Sequence, residues 1–312
     1  MPEIQPRQAI FNPTGGHAQA GGLLILLAAW WTWRLGIQIR RSIDDKYGYV
    51  SRDSREGSTF YISNVLRHQR WEFPSTILSC IIALGGALRE FYVQGSGNWG
   101  SPDNLSHTAA YLMYFFAFAT ETFCYFSYRF GWKIVPEQLP QLAWAMNFFS
   151  ISFILRAHEM GKPMLEVAVH TWLGANGYFV TAFLVLEAFM PRNHLVALGR
   201  CIATYAMGIY FIRMLWILEH LTDFDPPDSD PEAPEKVLLG AIQYGLVAAL
   251  SLIVVIFEIF LSSTLVPYLG HFLEPLRWFE AEHPSFERIE RAETDEPDFE
   301  DHLVEHQDDG LI

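Results

Sequence analysis

Apolar residues in this chain gather into long unbroken runs. A hydrocarbon core about 30 Å thick is crossed by roughly 20 helical residues rising 1.5 Å each. Runs of that length fall at 18–37, 73–93, 106–128, 139–157, 164–190 and 194–218, and a seventh starts near Val237 and stays apolar to Val266. None shows the inside–outside alternation of barrel strands, which excludes a transmembrane β-barrel. The pattern predicts an all-α polytopic membrane protein, a seven-transmembrane-helix bundle over 18–266 behind a short polar N-terminus at 1–17. Pro2, Pro6 and Pro13 interrupt that N-terminal piece and no cleavable signal is visible, so insertion through the first helix is expected.

Beyond the seventh run the pattern changes twice. Residues 267–279 are short, aromatic and broken by Pro275, as expected of a strip lying along the membrane surface. Residues 280–312 form an acidic tail: thirteen acids against Arg288 and Arg291 leave −11 of the chain's −14 formal charge there. Such a segment is expected to be disordered and solvated, suits a protein partner, and argues against nucleic acid. The remainder is near neutral, with 51% hydrophobic and only 18% charged residues, so no separate soluble domain is expected. Cys80, Cys124 and Cys201 all fall within predicted spans, and no structural disulfide is expected.

Lysine and arginine mark the cytoplasmic side of short loops. The first connection carries Arg40, Arg41, Lys46, Arg52, Arg55, Arg67 and Arg70; the second carries none; the third has Arg129 and Lys133, the fourth Lys162, the fifth Arg192, and the sixth is acidic with Lys236 alone. This alternation puts the N-terminus outside or in the lumen and the acidic tail in the cytoplasm. Trp30, Trp31 and Trp33 beside Arg34 read as an interfacial anchor, the arginine snorkelling to headgroups. Asn104-Leu105-Ser106 is a glycosylation sequon on the outer side, close enough to the membrane to be expected unmodified.

Polar residues inside the runs fall into two layers. His17, Glu90, His107, His158, Glu166 and His170 all lie toward the outer ends, with Arg213 and Gln243 in the same layer. Glu166 and His170 are four apart and share one helical face. A buried imidazole or carboxylate costs several kcal/mol unless paired, coordinated or hydrated. Several neutral imidazoles with a carboxylate suit zinc or a similar divalent ion, with Glu166 or Glu90 as candidate catalytic base; water, loops and mutual contacts satisfy the same residues in the plainer reading. The inner layer comprises Glu72, Glu121 and Glu187. Glu72 and Glu187 read as interfacial charges, whereas Glu121 is expected to face the bundle with Thr122 or a tyrosine as partner, as hydrogen-bonding glue or a proton relay.

These residues also match a known pattern. Gly16-His17 opens the first helix, Glu72 and Glu90 bracket the second, and Ser106-His107-Thr108 is followed by Tyr111 and Glu121. His158, then Gly161-Lys162-Pro163-Met164-Leu165-Glu166, then His170, and finally Glu187 with Arg192-Asn193-His194, complete the set. In this order the chain resembles the transmembrane protein 45 family over about 15–260. The resemblance implies a seven-helix integral membrane protein, often of endomembranes, with no assigned reaction. Met160 and Gly245 stand where the family often has further histidines, leaving fewer imidazoles for a shared metal site.

Three functions compete on this reading: a non-enzymatic regulator or scaffold acting through the tail, with homo-oligomers in scope; a zinc-dependent intramembrane hydrolase of lipid esters or amides; and proton or metal-ion transport. Either the plasma membrane or an endomembrane fits. The seventh run has no internal lysine for a retinal Schiff base, and the Asp-Arg-Tyr and Asn-Pro-x-x-Tyr motifs of G-protein-coupled receptors do not occur. Neither a glycine-rich phosphate loop nor a serine elbow is found.

Overall fold

The computed structural model describes residues 14–46, 72–92, 102–129, 135–136, 138–157, 164–191, 193–221 and 233–273. They form seven helices: α1 (Thr14–Lys46), α2 (Glu72–Tyr92), α3 (Pro102–Arg129), α4 (Leu139–Ala157), α5 (Met164–Phe189), α6 (His194–Leu221) and α7 (Ala233–Leu273). No strand occurs among the described residues. His158, the Asn104 side chain and the 280–312 tail lie outside them, as does the side chain of Glu72, the first residue of α2.

Every helix falls on one of the apolar runs, and the differences are at the ends. With 33 residues α1 is about 50 Å long at 1.5 Å per residue, so it carries Arg40, Arg41 and Lys46 as helix rather than loop. Similarly α7 continues unbroken through Tyr268 to Leu273, part of the segment expected to lie as a separate strip. Four helices hold stretches long and apolar enough to cross a membrane: His17–Arg40, Met164–Phe189, His194–Ile217 and Pro234–Leu265. Among the described residues the other three hold no such stretch; α3 carries Thr120, Glu121 and Thr122 and α4 carries Gln141, Asn147 and Ser152 within the run.

Contacts divide the chain into two units, Met1–Ser263 and Thr264–Ile312, and the second is described only where α7 continues. In the first, α1 reaches all six other helices. Gln19 accepts a hydrogen bond from Arg89 of α2, Arg34 faces Glu121 of α3, Trp31 meets Trp144 of α4 edge to face, His17 lies against His170 of α5, and Gly36 abuts Ser262 of α7. Against α6 the approach is closest. A Cβ on Gly21 would stand 2.9 Å from the Gly208 carbonyl oxygen, and one on Gly208 would stand 2.9 Å from the Ile25 nitrogen. Small residues that let backbones touch in this way are the usual means of joining helices in lipid, where apolar burial gives little drive to associate.

The core is aromatic and aliphatic, with Leu24, Ala28, Trp144, Phe148, Leu173, Leu184, Met207 and Ile217 fully buried. Large apolar side chains also cover the outside, including Leu78 and Ile81 on α2 and Leu246, Ile253 and Phe257 on α7. In water such a belt would be an aggregation surface; against acyl chains it carries no penalty.

Candidate functional site

Three of the four histidines expected in the outer layer line one small cavity. His17 near the start of α1, His107 near the start of α3 and His170 near the start of α5 line it, with Tyr111, Tyr114 and Phe211. The His17 and His107 ring centroids are 5.3 Å apart, edge to face, and those of His17 and His170 are 6.1 Å apart. The cavity measures about 50 Å³. Leu155, near the end of α4, and Phe211, toward the end of α6, line the same space, so helix starts and helix ends alternate around it.

One ring is held by a hydrogen bond through Nδ1, and a second turns Nδ1 toward a carboxylate. His170 Nδ1 lies 2.8 Å from the Glu166 carbonyl oxygen one turn earlier, which fixes it as the protonated nitrogen and leaves Nε2 with the lone pair. His107 Nδ1 lies 3.6 Å from Glu90 Oε2. Glu90 is fully buried, and among the described residues neither of its oxygens accepts a hydrogen bond; the Arg89 guanidinium lies 3.9 Å away. The Tyr114 hydroxyl, on a side chain only 3% exposed, also has no hydrogen-bond partner among the described residues.

The expected outer layer is thus assembled in part. His17, which on sequence grounds could have been a solvated helix start, is 9% exposed and central to the cavity. Glu166 serves His170 through its backbone carbonyl. Arg213 and Gln243 form their own pair on α6 and α7, Nε to Oε1 at 3.0 Å, with the Arg213 guanidinium 3.9 Å above the Trp216 ring. Among the described residues no group of three or more His, Cys, Asp or Glu has the geometry to hold a metal ion as the side chains stand.

The inner half corrects several expectations. Arg34 does not snorkel outward: it is 5% exposed and lies 3.8 Å from Glu121 Oε1, because α1 is central and this face meets α3 instead of headgroups. Nor does Trp31 sit at an interface; it packs on Trp144 with centroids 5.3 Å apart. Glu121 takes as partners Arg34 and the Trp144 indole, which donates to Oε2 at 3.1 Å, while the Thr122 hydroxyl donates to the Phe118 carbonyl. Glu187 is a core residue, not an interfacial charge. It is fully buried and accepts from Arg200 Nε at 2.7 Å and from a second guanidinium nitrogen at 3.4 Å. The Arg200 guanidinium also stacks 4.2 Å from the Trp31 ring, linking both ion pairs through two tryptophans.

Arg200 and the Tyr205–Glu258 hydrogen bond of 2.6 Å escaped the sequence reading. A signal existed for Arg200: a lone arginine inside an apolar run, thirteen residues after a glutamate across a short hairpin. Cys80, Cys124 and Cys201 are free thiols. No known protein-family model matches the chain.

Proposed function

We propose that the chain is a seven-span integral membrane protein of the transmembrane protein 45 type, acting without catalysis as a regulator or scaffold. Its N-terminus lies outside or in the lumen and its acidic tail in the cytoplasm. Support for seven spans comes from the alternation of helix starts and ends around the histidine cavity and from the Arg213–Gln243 pair, which adds the start of α7 to that end. Support for the orientation comes from the basic odd-numbered loops.

The size of the cavity carries the preference against catalysis. At about 50 Å³ it has room for roughly three to five waters at 10–15 Å³ each, whereas ligand pockets usually span about 300–1,000 Å³. A lipid ester would need a much larger opening beside the histidines. Transport is also disfavoured by the packing: from His17 to Arg34 is about 25 Å along α1, and the buried residues between include Leu24, Leu27 and Ala28.

Two experiments test this reading. Cysteines placed by Gly100→Cys and Ser229→Cys should react with an impermeant reagent from outside or the lumen, and one at Ser51→Cys should not; the reverse pattern overturns the orientation. In cells lacking the protein, Glu166→Gln at normal expression should restore function while deletion of 280–312 should not. The opposite pair of results rejects the scaffold and favours the hydrolase, because an amide keeps the shape of the carboxylate but cannot take a proton.

A further inference from the structure

We infer that His17, His107 and His170, with the Glu90 carboxylate beside them, form a binding site for one zinc-like divalent cation. The inference rests on the arrangement of α1, α2, α3 and α5 and is independent of whether the protein acts as a scaffold or an enzyme.

Ring spacing is the first argument. Two imidazoles on one tetrahedral ion, with nitrogens about 2.0–2.1 Å from it, place their ring centroids roughly 5 Å apart. His17 stands 5.3 Å from His107 and 6.1 Å from His170 by the same measure. Both spacings lie within about 1 Å of that value, with His17 the ring common to the two.

The second argument is the state of the ring nitrogens. A histidine that binds metal through one nitrogen donates the other N–H to a carboxylate or a backbone carbonyl, which fixes its tautomer and raises its basicity. His170 does this to the Glu166 carbonyl at 2.8 Å, and His107 directs Nδ1 toward Glu90 at 3.6 Å. In that orientation Nε2 is the nitrogen through which each ring would ligate a cation.

The third argument is the cost of Glu90 and Tyr114 as they stand. A fully buried carboxylate whose oxygens accept no hydrogen bond among the described residues is expensive in any low-dielectric surrounding. A divalent ion a few ångströms away offsets that charge, either directly or through His107. The Tyr114 hydroxyl lines the same cavity, and a water on the ion would supply the partner it lacks. Room for a few waters is what an ion with an incomplete protein shell requires. Three imidazole nitrogens favour zinc or a neighbouring first-row ion over magnesium or calcium, which prefer all-oxygen shells.

The test uses the full chain purified in detergent. Elemental analysis should find close to one zinc per chain, or zinc titration into chelator-treated protein should raise its melting temperature in a saturable way. His17→Ala, His107→Ala and His170→Ala should each weaken zinc binding at least tenfold, and Glu90→Gln by about 10–100-fold, as outer-shell partners do. His194→Ala, at the opposite end of α6 from Phe211, should leave binding unchanged. Should an alanine variant fail to fold, cobalt(II) added to the wild-type chain decides: intense ligand-field bands of a tetrahedral nitrogen-rich site support the assignment. Absence of zinc together with no thermal response, octahedral cobalt only, or binding that survives the three histidine substitutions overturns it.

Discussion

Removing the Arg200 guanidinium tests how strongly the inner half of the bundle depends on its buried charges. Arg200 and Glu187 are 1% and 0% exposed and meet at 2.7 Å, so Arg200→Met strands a carboxylate where no water reaches it. It also takes a cation from the Trp31 face, 4.2 Å away. Breaking a buried pair from one side costs about 3–5 kcal/mol, and a desolvated cation–π contact contributes about 2 kcal/mol more. Ordinary interhelical hydrogen bonds in lipid average only about 0.6 kcal/mol, because the unfolded helices find other partners. The two magnitudes differ enough to be told apart. A loss of 3 kcal/mol or more should lower the melting temperature in detergent on the order of 10 °C, at roughly 2–4 °C per kcal/mol for chains of moderate size. Replacing both partners, Glu187→Leu with Arg200→Met, should recover more than half of that loss, since an apolar pair of similar volume carries no uncompensated charge. Melting curves followed by helical circular dichroism would give all three values. An Arg200→Met variant within about 2 °C of wild type, or a double variant no better than the single, would refute the reasoning.

Other substitutions probe separate links. Gly208→Leu places a branched side chain where a Cβ alone would already stand 2.9 Å from the Ile25 backbone nitrogen, and should cost at least about 1–3 kcal/mol through overpacking; equal thermal stability would show that α1 and α6 separate easily. Trp144→Phe keeps the aromatic packing but removes the indole donor to Glu121, and should cost about 1.5–3 kcal/mol as the loss of a hydrogen bond to a charged group, whereas Trp144→Leu should cost more. Tyr205→Phe removes the 2.6 Å hydrogen bond to Glu258 and should expose α7 to earlier hydrogen exchange, read by mass spectrometry as faster deuterium uptake over 240–265 with the rest of the chain unchanged.

The helices were legible because their signal is long: each apolar run extends over many turns, and no strand pattern competes with it. Their ends were less so. α1 runs past Ile37 into Arg40, Arg41 and Lys46, since lysine and arginine are good helix formers and nothing in 38–46 stops the helix. Depth along each run put His17, His107 and His170 at one level, and these three line one cavity, because helical rise turns sequence position into height. What height cannot give is the direction a side chain faces. Arg34 and Trp31 were at the right depth for an interfacial anchor, and only the central place of α1 turns them inward to Glu121 and Trp144. The pairing of Glu187 with Arg200 required knowing that α5 and α6 are neighbours, with arginine long enough to bridge the difference in height.

The two polar clusters do different physical work although they share one helix. The inner cluster is closed: Arg34 faces Glu121, Arg200 binds Glu187, and the charges balance. Such an arrangement sets which helices lie together and at what height, because a one-turn slip of α1 would move Arg34 about 5.4 Å from its carboxylate. The outer cluster is open. Three imidazoles and the Tyr114 hydroxyl line a small space, and the buried Glu90 carboxylate lies behind one of them, 3.6 Å from His107 Nδ1. With the register of α1 set from below by ion pairs and by the Gly21–Gly208 approach, one turn past His17, the His17 ring is carried to a fixed height beside His107 and His170. The ion-paired end therefore positions the histidine end, where the space for a ligand lies.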